Sequence, residues 1–440
     1  MTSRYFFDPL LRHLFAPRLA LLERKRELYH SVTDPSAIHA YQTNAVNLQW
    51  RSALAKYTFY RQWQSEHGLP DQIESLAQLA EFPVLKKIDL LNHVKTIEKE
   101  ATPCRWATTG GSTGQPVRFP LSSADLDEFY ANSYLGRSWW DIAPFSQIFM
   151  LWGHSHLFGT GVGGRLRQWQ RRINDYIIGT TRLNAYRLNE ADVASYYTKI
   201  NREPEASIIA YASAFTKVLD YVEEHGQVPA YSSRRRIILT SEYVFPQDIK
   251  RIRHHFGIEP IIEYGAAETG VIATSEGSAN HLRVMWDSFV CQQASDNELV
   301  LTTLWNRHFP LFRYAIGDRV RLSEAPSNSI LFLSEVLGRS NDALRLPLTS
   351  GRVIKVHSEF FTHIIKSLPN VQSFLIVESG EGIKVRLRLR GNADLHSSRQ
   401  LALHKIRREF SDVLEERIIF EPLAEEVRTI AGKHRFIIRE

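Results

Sequence analysis

Apolar positions along the chain follow two periods, and the switch between them lays out the fold. Residues 37–66, 72–80 and 88–99 carry apolar side chains at helical spacing, with FPVLKK (82–87) as an ordered break between the last two. From about residue 100, short β-rich runs alternate with helical patterns. SIIAY (207–211), RIILT (236–240) and EPIIEY (259–264) read as buried strands. Between the last two lies PQDIKRIRHHFG. Pro246 suits a first helical turn, Ile249, Ile252 and Phe256 share one face, and Gly257 closes the helix. This is a βαβ unit, and such alternation predicts a parallel sheet.

The texture changes after residue 300. ELVLTTL (298–304) and SILFL (329–333) predict an antiparallel, more β-rich subdomain. VQSFLIVES (371–379) and IKVRLRLRG (383–391) read as strands around a turn at 380–382, and the strict alternation in KVRLRLR buries one face and solvates the other. Ile406, Phe410, Val413 and Leu414 mark an amphipathic helix. The expected fold class is α/β. A large N-terminal domain (1–340) of mixed sheets with helices and a β-rich subdomain precedes a small α+β lid (341–440).

Composition narrows the class. The 440 residues are 43% apolar and 23% charged, as in globular proteins, and the net charge of +6 is a thin basic excess. The basic runs RLRQWQRR (165–172) and SSRRRI (232–237) are too short and isolated to predict nucleic-acid binding. The two cysteines, Cys104 and Cys291, form no metal spacing and no disulfide framework, which fits a reducing compartment and a cytoplasmic location. The first 30 residues are rich in Leu and Phe, but Arg12, His13 and Arg18 interrupt them and no small-residue cleavage site follows. They make a poor signal peptide and a poor membrane span. An amphipathic helix lying on the domain is expected, with a peripheral membrane contact as the alternative.

Five stretches carry candidate chemistry. In TTGGSTGQP (108–116), Thr109, Gly110, Gly111, Ser112, Thr113 and Gly114 offer backbone N–H groups and hydroxyls to phosphate oxygens. The stretch lacks the Walker lysine, and alone it is equally a surface turn between a strand and a helix. In EYGAAETG (263–270), Tyr264 could stack on a flat base and Glu268 could hold Mg²⁺ beside a phosphate. A strand-to-helix turn with a solvated acid fits as well. In FRYAIGDRV (312–320), Asp318 follows a glycine and could accept both hydroxyls of a ribose, or simply sit in a hairpin turn. Arg339 lies in LGRSNDAL (337–344) at the domain boundary, and Lys433 lies in AGKHRF (431–436). Alone, these two read as a linker arginine and a surface lysine.

In this order and at this spacing, the five stretches resemble the adenylate-forming (acyl-CoA synthetase-like) superfamily. The branch is the phenylacetate–CoA ligase-like one, including its homologues in capsule and surface-polysaccharide biosynthesis. YRQW (60–63), FPVLKK, ASAF (212–215) and LTSEYVFPQDIKRIRHHFG (239–257) resemble further parts of that branch.

The resemblance implies an enzyme that uses ATP and Mg²⁺ to convert a carboxylic acid to an acyl-adenylate, releasing pyrophosphate. The acyl group then passes by default to CoA. An amine, a hydroxyl or a carrier-protein thiol is the rival acceptor, and a non-catalytic nucleotide-binding scaffold is the reading from another class. A homodimer is compatible with it. By resemblance, 109–114 cradle the β- and γ-phosphates, Tyr264, Gly265 and Ala266 pack at the adenine, Asp318 binds the ribose, and Arg339 reaches the ribose or phosphates. Glu268 holds Mg²⁺, and Lys433 is the catalytic lysine of the lid. WGHSHLFGTGVGG (152–164) takes the place of the acyl pocket, with Trp152 and Phe158 shaping it and His154 and His156 contacting the carboxylate or the nucleophile. His154 is the catalytic candidate of the two.

The chain departs from the family pattern in three places. Asn341, with Asp342 next, stands two residues after Arg339 at the expected hinge, where an acid or lysine is usual. TSGRVIKV (349–356) lacks the Arg–Gly pattern, which weighs against CoA. Val117 stands where a lysine often follows the proline.

Overall fold

The computed structural model describes residues 8–101, 104–108, 117–152, 162–185, 190–324, 331–339, 343–357, 361, 364–365, 368–380, 382–391, 393–424 and 437–439. The chain divides into two compact units, Met1–Val336 and Leu337–Glu440.

The first unit opens with seven helices: α1 (Asp8–Leu14), α2 (Ala16–Ser31), α3 (Pro35–Lys56), α4 (Thr58–His67), α5 (Leu76–Leu79), α6 (Lys87–Asn92) and α7 (Val94–Glu100). Asp34 caps α3 by accepting the Ala37 N–H at 3.0 Å, and Pro35 fills the first turn. The helix expected over 37–66 is two helices. Tyr57 breaks it with extended backbone (φ −110°, ψ 123°) and turns a buried ring inward, its hydroxyl donating to the His308 carbonyl. The helix expected over 72–80 shrinks to α5, and the one over 88–99 breaks at His93 into α6 and α7.

Helix α2 is fastened to the domain by a buried charge. Lys25 is 3% exposed and bridges Glu128 at 2.5 Å and Asp287, while Ser288 Oγ accepts from its ammonium at 2.8 Å. The Tyr29 hydroxyl donates to Asp287 at 2.9 Å.

The remaining helices and strands of this unit are β1 (Arg105–Thr108), β2 (Arg118–Leu121), α8 (Ser123–Ser138), β3 (Ile148–Trp152), α9 (Val162–Ile177), β4 (Thr180–Asn184), α10 (Glu190–Arg202), β5 (Ser207–Tyr211), α11 (Ala212–Glu224), β6 (Ile237–Thr240), α12 (Pro246–Phe256), β7 (Ile261–Ala266), β8 (Gly270–Glu276), β9 (Ser278–Val284), β10 (Phe289–Gln293), β11 (Glu298–Thr303), β12 (Tyr314–Glu324) and β13 (Leu331–Arg339). Gly257 closes α12 at φ 64°.

Strands β3 to β13 form one sheet in the order β10-β11-β12-β13-β9-β8-β7-β6-β5-β3-β4. The half from β4 to β7 is parallel, as the sequence pattern predicts. The antiparallel region is not a separate subdomain beginning at 300. It continues the same sheet and begins at β8. Gly265 and Gly270 make that reversal: a Cβ on Gly265 would sit 2.1 Å from the Gly270 carbonyl oxygen, and Gly270 has φ 69°.

The second unit holds the hairpin β14 (Ala343–Pro347) with β15 (Val353–His357), and the strands β16 (Val371–Ser379), β17 (Gly382–Leu389), β18 (Ile418–Pro422) and β19 (Ile437–Arg439) in the order β18-β17-β16-β19. A helix of this unit, α13, spans Leu395–Glu409. The apolar periodicity placed it too far along the chain. Asp394 caps the helix start, Phe410 ends it, and Val413 instead bridges to Leu348.

Candidate functional site

The parallel strands β3, β5, β6 and β7 end at Trp152, Tyr211, Thr240 and Ala266 on one edge of the sheet, where open α/β sheets bind ligands. Trp152 and Tyr211 place their ring centroids 4.4 Å apart there. Beyond β6, Ser241 adopts φ 68°, and the carboxylate of Glu242 accepts the Ser213 N–H at 2.8 Å, at the start of α11.

At the end of β7 the structure joins two candidates that lie 54 residues apart: the Tyr264 hydroxyl donates to Asp318 Oδ2 at 2.9 Å. Tyr264 is buried and Asp318 half-buried. Asp318 does not lie in a hairpin turn. It lies within β12, where pairing with β11 jumps from Val300↔Ala315 to Glu298↔Arg319. Gly317 takes φ 85° inside this bulge. A bulge of this kind re-aims a side chain out of the regular alternation.

Glu268 sits in the turn between β7 and β8, so the turn leads to a strand and not a helix, and the acid is 5% exposed. The turn is closed on itself: Thr269 Oγ1 accepts the Ala266 N–H at 3.2 Å and the Thr269 N–H donates to the Ala266 carbonyl at 3.3 Å. The Tyr314 hydroxyl lies 3.4 Å from Glu268 Oε1. One residue before Tyr264, the buried Glu263 accepts a two-armed hydrogen bond from Arg137 of α8, at 2.7 and 3.0 Å.

Arg307 is a residue that the sequence reading missed. It is 2% exposed, and Nη2 donates to the Glu268 carbonyl at 2.5 Å. Its Nε and Nη1 find no partner among the described residues, and its guanidinium lies 5.4 Å from the Trp305 ring centroid. Burial lowers the hold of the guanidinium on its proton, while Asp125 and Glu268 oppose that effect. The available signal was a lone charge inside the aromatic stretch LWNRHFPLF (304–312).

Two further stretches support β12 from below. Leu85 of FPVLKK exchanges backbone hydrogen bonds with Arg313 and Ala315, at 3.1 and 2.9 Å. The Arg313 side chain, from a backbone at φ 43°, donates to the carbonyls of Ala80 and Phe82. The Tyr60 hydroxyl of YRQW donates to the Pro310 carbonyl.

Thr109, Gly110, Gly111, Ser112, Thr113 and Gly114 lie outside the described residues, as do His154, His156, Phe158, Asn341, Asp342 and Lys433. The stem of the glycine-rich stretch is described. It lies between two antiparallel strands, not between a strand and a helix, with Thr108 paired to Arg118. Arg339 ends β13. TSGRVIKV runs from the turn of the β14–β15 hairpin, where Gly351 takes φ 76°, into β15. Among the described residues no group of three metal-ligating side chains occurs.

No protein-family model matches the chain. Among curated proteins, it is 23% identical to Protein CapK of Staphylococcus aureus over 308 residues, covering 65% of this chain and 64% of that protein. It is also 23% identical to a phenylacetate–coenzyme A ligase of Aromatoleum evansii over 336 residues, covering 70% of this chain and 71% of the ligase. The chain thus spans slightly less than two thirds of the first relative's length. Among solved structures, 2-hydroxyisobutyryl-CoA ligase in the postadenylation state, in complex with R3-HIB-AMP, superposes with a TM-score of 0.69 at 16% identity, covering 91% of this chain and 90% of that one. The acyl acid amido synthetase AtGH3.15, in complex with 2,4-DB, gives 0.56 at 13% identity, covering 90% and 88%. The chain therefore has the fold of these solved ligases, and in sequence it is similar to Protein CapK and to phenylacetate–coenzyme A ligase.

Proposed function

We propose that the protein activates a carboxylic acid with ATP, forming an acyl-adenylate and pyrophosphate, and then transfers the acyl group, by default to CoA. The observation that carries this is the Tyr264–Asp318 hydrogen bond beside the buried Glu268, at the carboxyl edge of the parallel strands. Relatives that include a CoA ligase support the same reading.

Adenylation joins two anions, a carboxylate and a triphosphate, so charge neutralisation dominates the barrier. Asp318 takes the ribose hydroxyls, with Tyr264 fixing the orientation of its carboxylate. Tyr264, Gly265 and Ala266 border the adenine. The loop 109–114 holds the β- and γ-phosphates through N–H groups and hydroxyls, and Arg339 serves the ribose or phosphate side. Lys433 comes from the unit that starts near residue 341, which acts as a lid. Its point charge bridges the carboxylate and the α-phosphate. Trp152, His156 and Phe158 shape the acyl pocket, and His154 contacts the reacting carboxylate.

The residues present fit Mg²⁺. It prefers oxygen ligands and is commonly held by one or two carboxylates together with substrate phosphates, which suits the buried carboxylate of Glu268. When bound, Mg²⁺ would neutralise charge on the phosphates.

The test is a panel of carboxylic acids in an ATP–pyrophosphate exchange assay, followed by mass spectrometry of products with CoA and with amines. Acid-dependent exchange and an acyl-CoA product are expected. An acyl-amide product would reassign the acceptor, and the absence of exchange with every acid would refute the activity.

A further inference from the structure

The basic run RLRQWQRR plays no part in the site described above. It lies in α9, whose sixteen residues contain four arginines and a single acid, Asp175. Asp175 is buried and accepts Arg182 Nε at 2.7 Å, so its charge is neutralised within the fold. On the outer side of the helix, Trp169, Ile173 and Tyr176 are 60%, 38% and 58% exposed. The spacing i, i+4, i+7 places them on one face. Tyr130 of α8, 48% exposed, lies within electrostatic reach of Arg171, and the Arg18 guanidinium sits 3.9 Å from its ring centroid. Three large apolar side chains in register on an exposed, cationic helix mark an interaction surface rather than chance exposure.

We propose that α9 is a membrane-surface helix that docks on anionic lipid headgroups. Trp169, Ile173 and Tyr176 would enter the boundary between headgroups and acyl chains, where Trp and Tyr concentrate, and the arginines would meet lipid phosphates. No helix among the described residues is long and apolar enough to cross a membrane, so the contact is in-plane.

Charge selects this occupant over two others. A second copy seated by two-fold symmetry would set two helices of four arginines each against one another, and the one acid in each, Asp175, is buried and already paired. Nucleic acid would need the basic surface to extend, yet the second basic run does not supply one. Arg235 is fully buried and donates to the carbonyls of Ile200 and Glu203 at 2.5 and 3.0 Å, and Arg236 donates to the Trp140 carbonyl at 2.9 Å.

The test is co-sedimentation of the full chain with vesicles of phosphatidylcholine alone, or with about 30% phosphatidylglycerol, at low and high salt. The wild type should bind the anionic vesicles at least about tenfold more tightly than the neutral ones, and lose most of that binding at high salt. The Trp169→Ser/Ile173→Ser/Tyr176→Ser variant should bind at least about tenfold more weakly with unchanged circular dichroism. Arg165→Gln/Arg172→Gln, at positions that share the helical spacing of Trp169 and Tyr176, should lose affinity on anionic vesicles only. Wild type that ignores anionic vesicles, or a folded triple variant that binds as well as wild type, overturns the proposal. So does a concentration-dependent dimer, seen by light scattering without vesicle binding and abolished in the triple variant, which would give the face to a second copy.

Discussion

Tyr264 and Asp318, one at the end of β7 and one on the bulge of β12, are hydrogen-bonded at 2.9 Å. We propose that the tyrosine acts through the aspartate, and a double-mutant cycle tests this. We expect Asp318→Ala to raise the KM for ATP by about 10- to 100-fold, as loss of charged hydrogen bonds does. Tyr264→Phe should raise it by about 2- to 10-fold. The double variant should match Asp318→Ala alone, because the tyrosine then has no carboxylate to orient. Additive effects would separate the two residues.

Arg307 separates stability from activity. Two of its buried nitrogens lack partners among the described residues, so the folded state gains little from the charge. Arg307→Met should leave unfolding free energy in urea within about 1 kcal/mol of wild type. Adenylation should nevertheless fall about tenfold or more, because the guanidinium holds the Glu268 carbonyl and its turn in place. A large loss of stability with unchanged kcat would make Arg307 a purely structural residue.

Lys25 makes an alkaline prediction. Burial alone would lower its pKa, but Asp287 and Glu128 more than offset this and raise it above the ordinary 10.5. A raised pKa on a cationic group gives stability that is fully present below the ordinary value and is lost as pH climbs past it toward the folded-state value. Lys25→Met leaves two buried carboxylates without their cation and should cost about 3–5 kcal/mol at pH 7. In urea titrations against pH, the gap between wild type and variant should hold to about pH 10 and narrow above it.

The two thiols should differ in reactivity. Burial pushes Cys291 up to about 12, while Cys104 is only half-buried, with a smaller rise from the same cause. At pH 8 a thiol reagent should modify Cys104 slowly and Cys291 only after unfolding, which counting labels by mass spectrometry checks. Two labels on the native protein would contradict the packing around β10.

The parallel half of the sheet was legible because its strands are short apolar runs and its helices carry their own punctuation. Pro246 and Gly257 bound α12 as their chemistry dictates. Where tertiary packing overrides local pattern, the sequence misled. Tyr57 breaks a continuous helical periodicity because its ring is needed inside, and Val413 extends an apolar pattern beyond the helix because it bridges to Leu348. The antiparallel strands looked like a separate subdomain because nothing local says that β8 pairs with β7. The steric need for glycine at 265 becomes visible only once Gly270 folds back on it. At the candidate site, motif chemistry singled out Tyr264, Glu268 and Asp318, and the structure joins the first and last of them by a hydrogen bond. Arg307 was not, because a single arginine carries no period and its burial depends on Trp305, Asp125 and Glu268 assembling around it.

The central claim is that this site adenylates a carboxylic acid, and isotope exchange between pyrophosphate and ATP tests it most directly. Wild type, Asp318→Ala and Lys433→Ala should be compared with an acid chosen from the panel. Exchange should require the acid, and Lys433→Ala should lower it by about 10²–10³-fold while ATP binding by calorimetry persists. Exchange that proceeds without any acid, or that survives unchanged in Lys433→Ala and Asp318→Ala, would contradict the account.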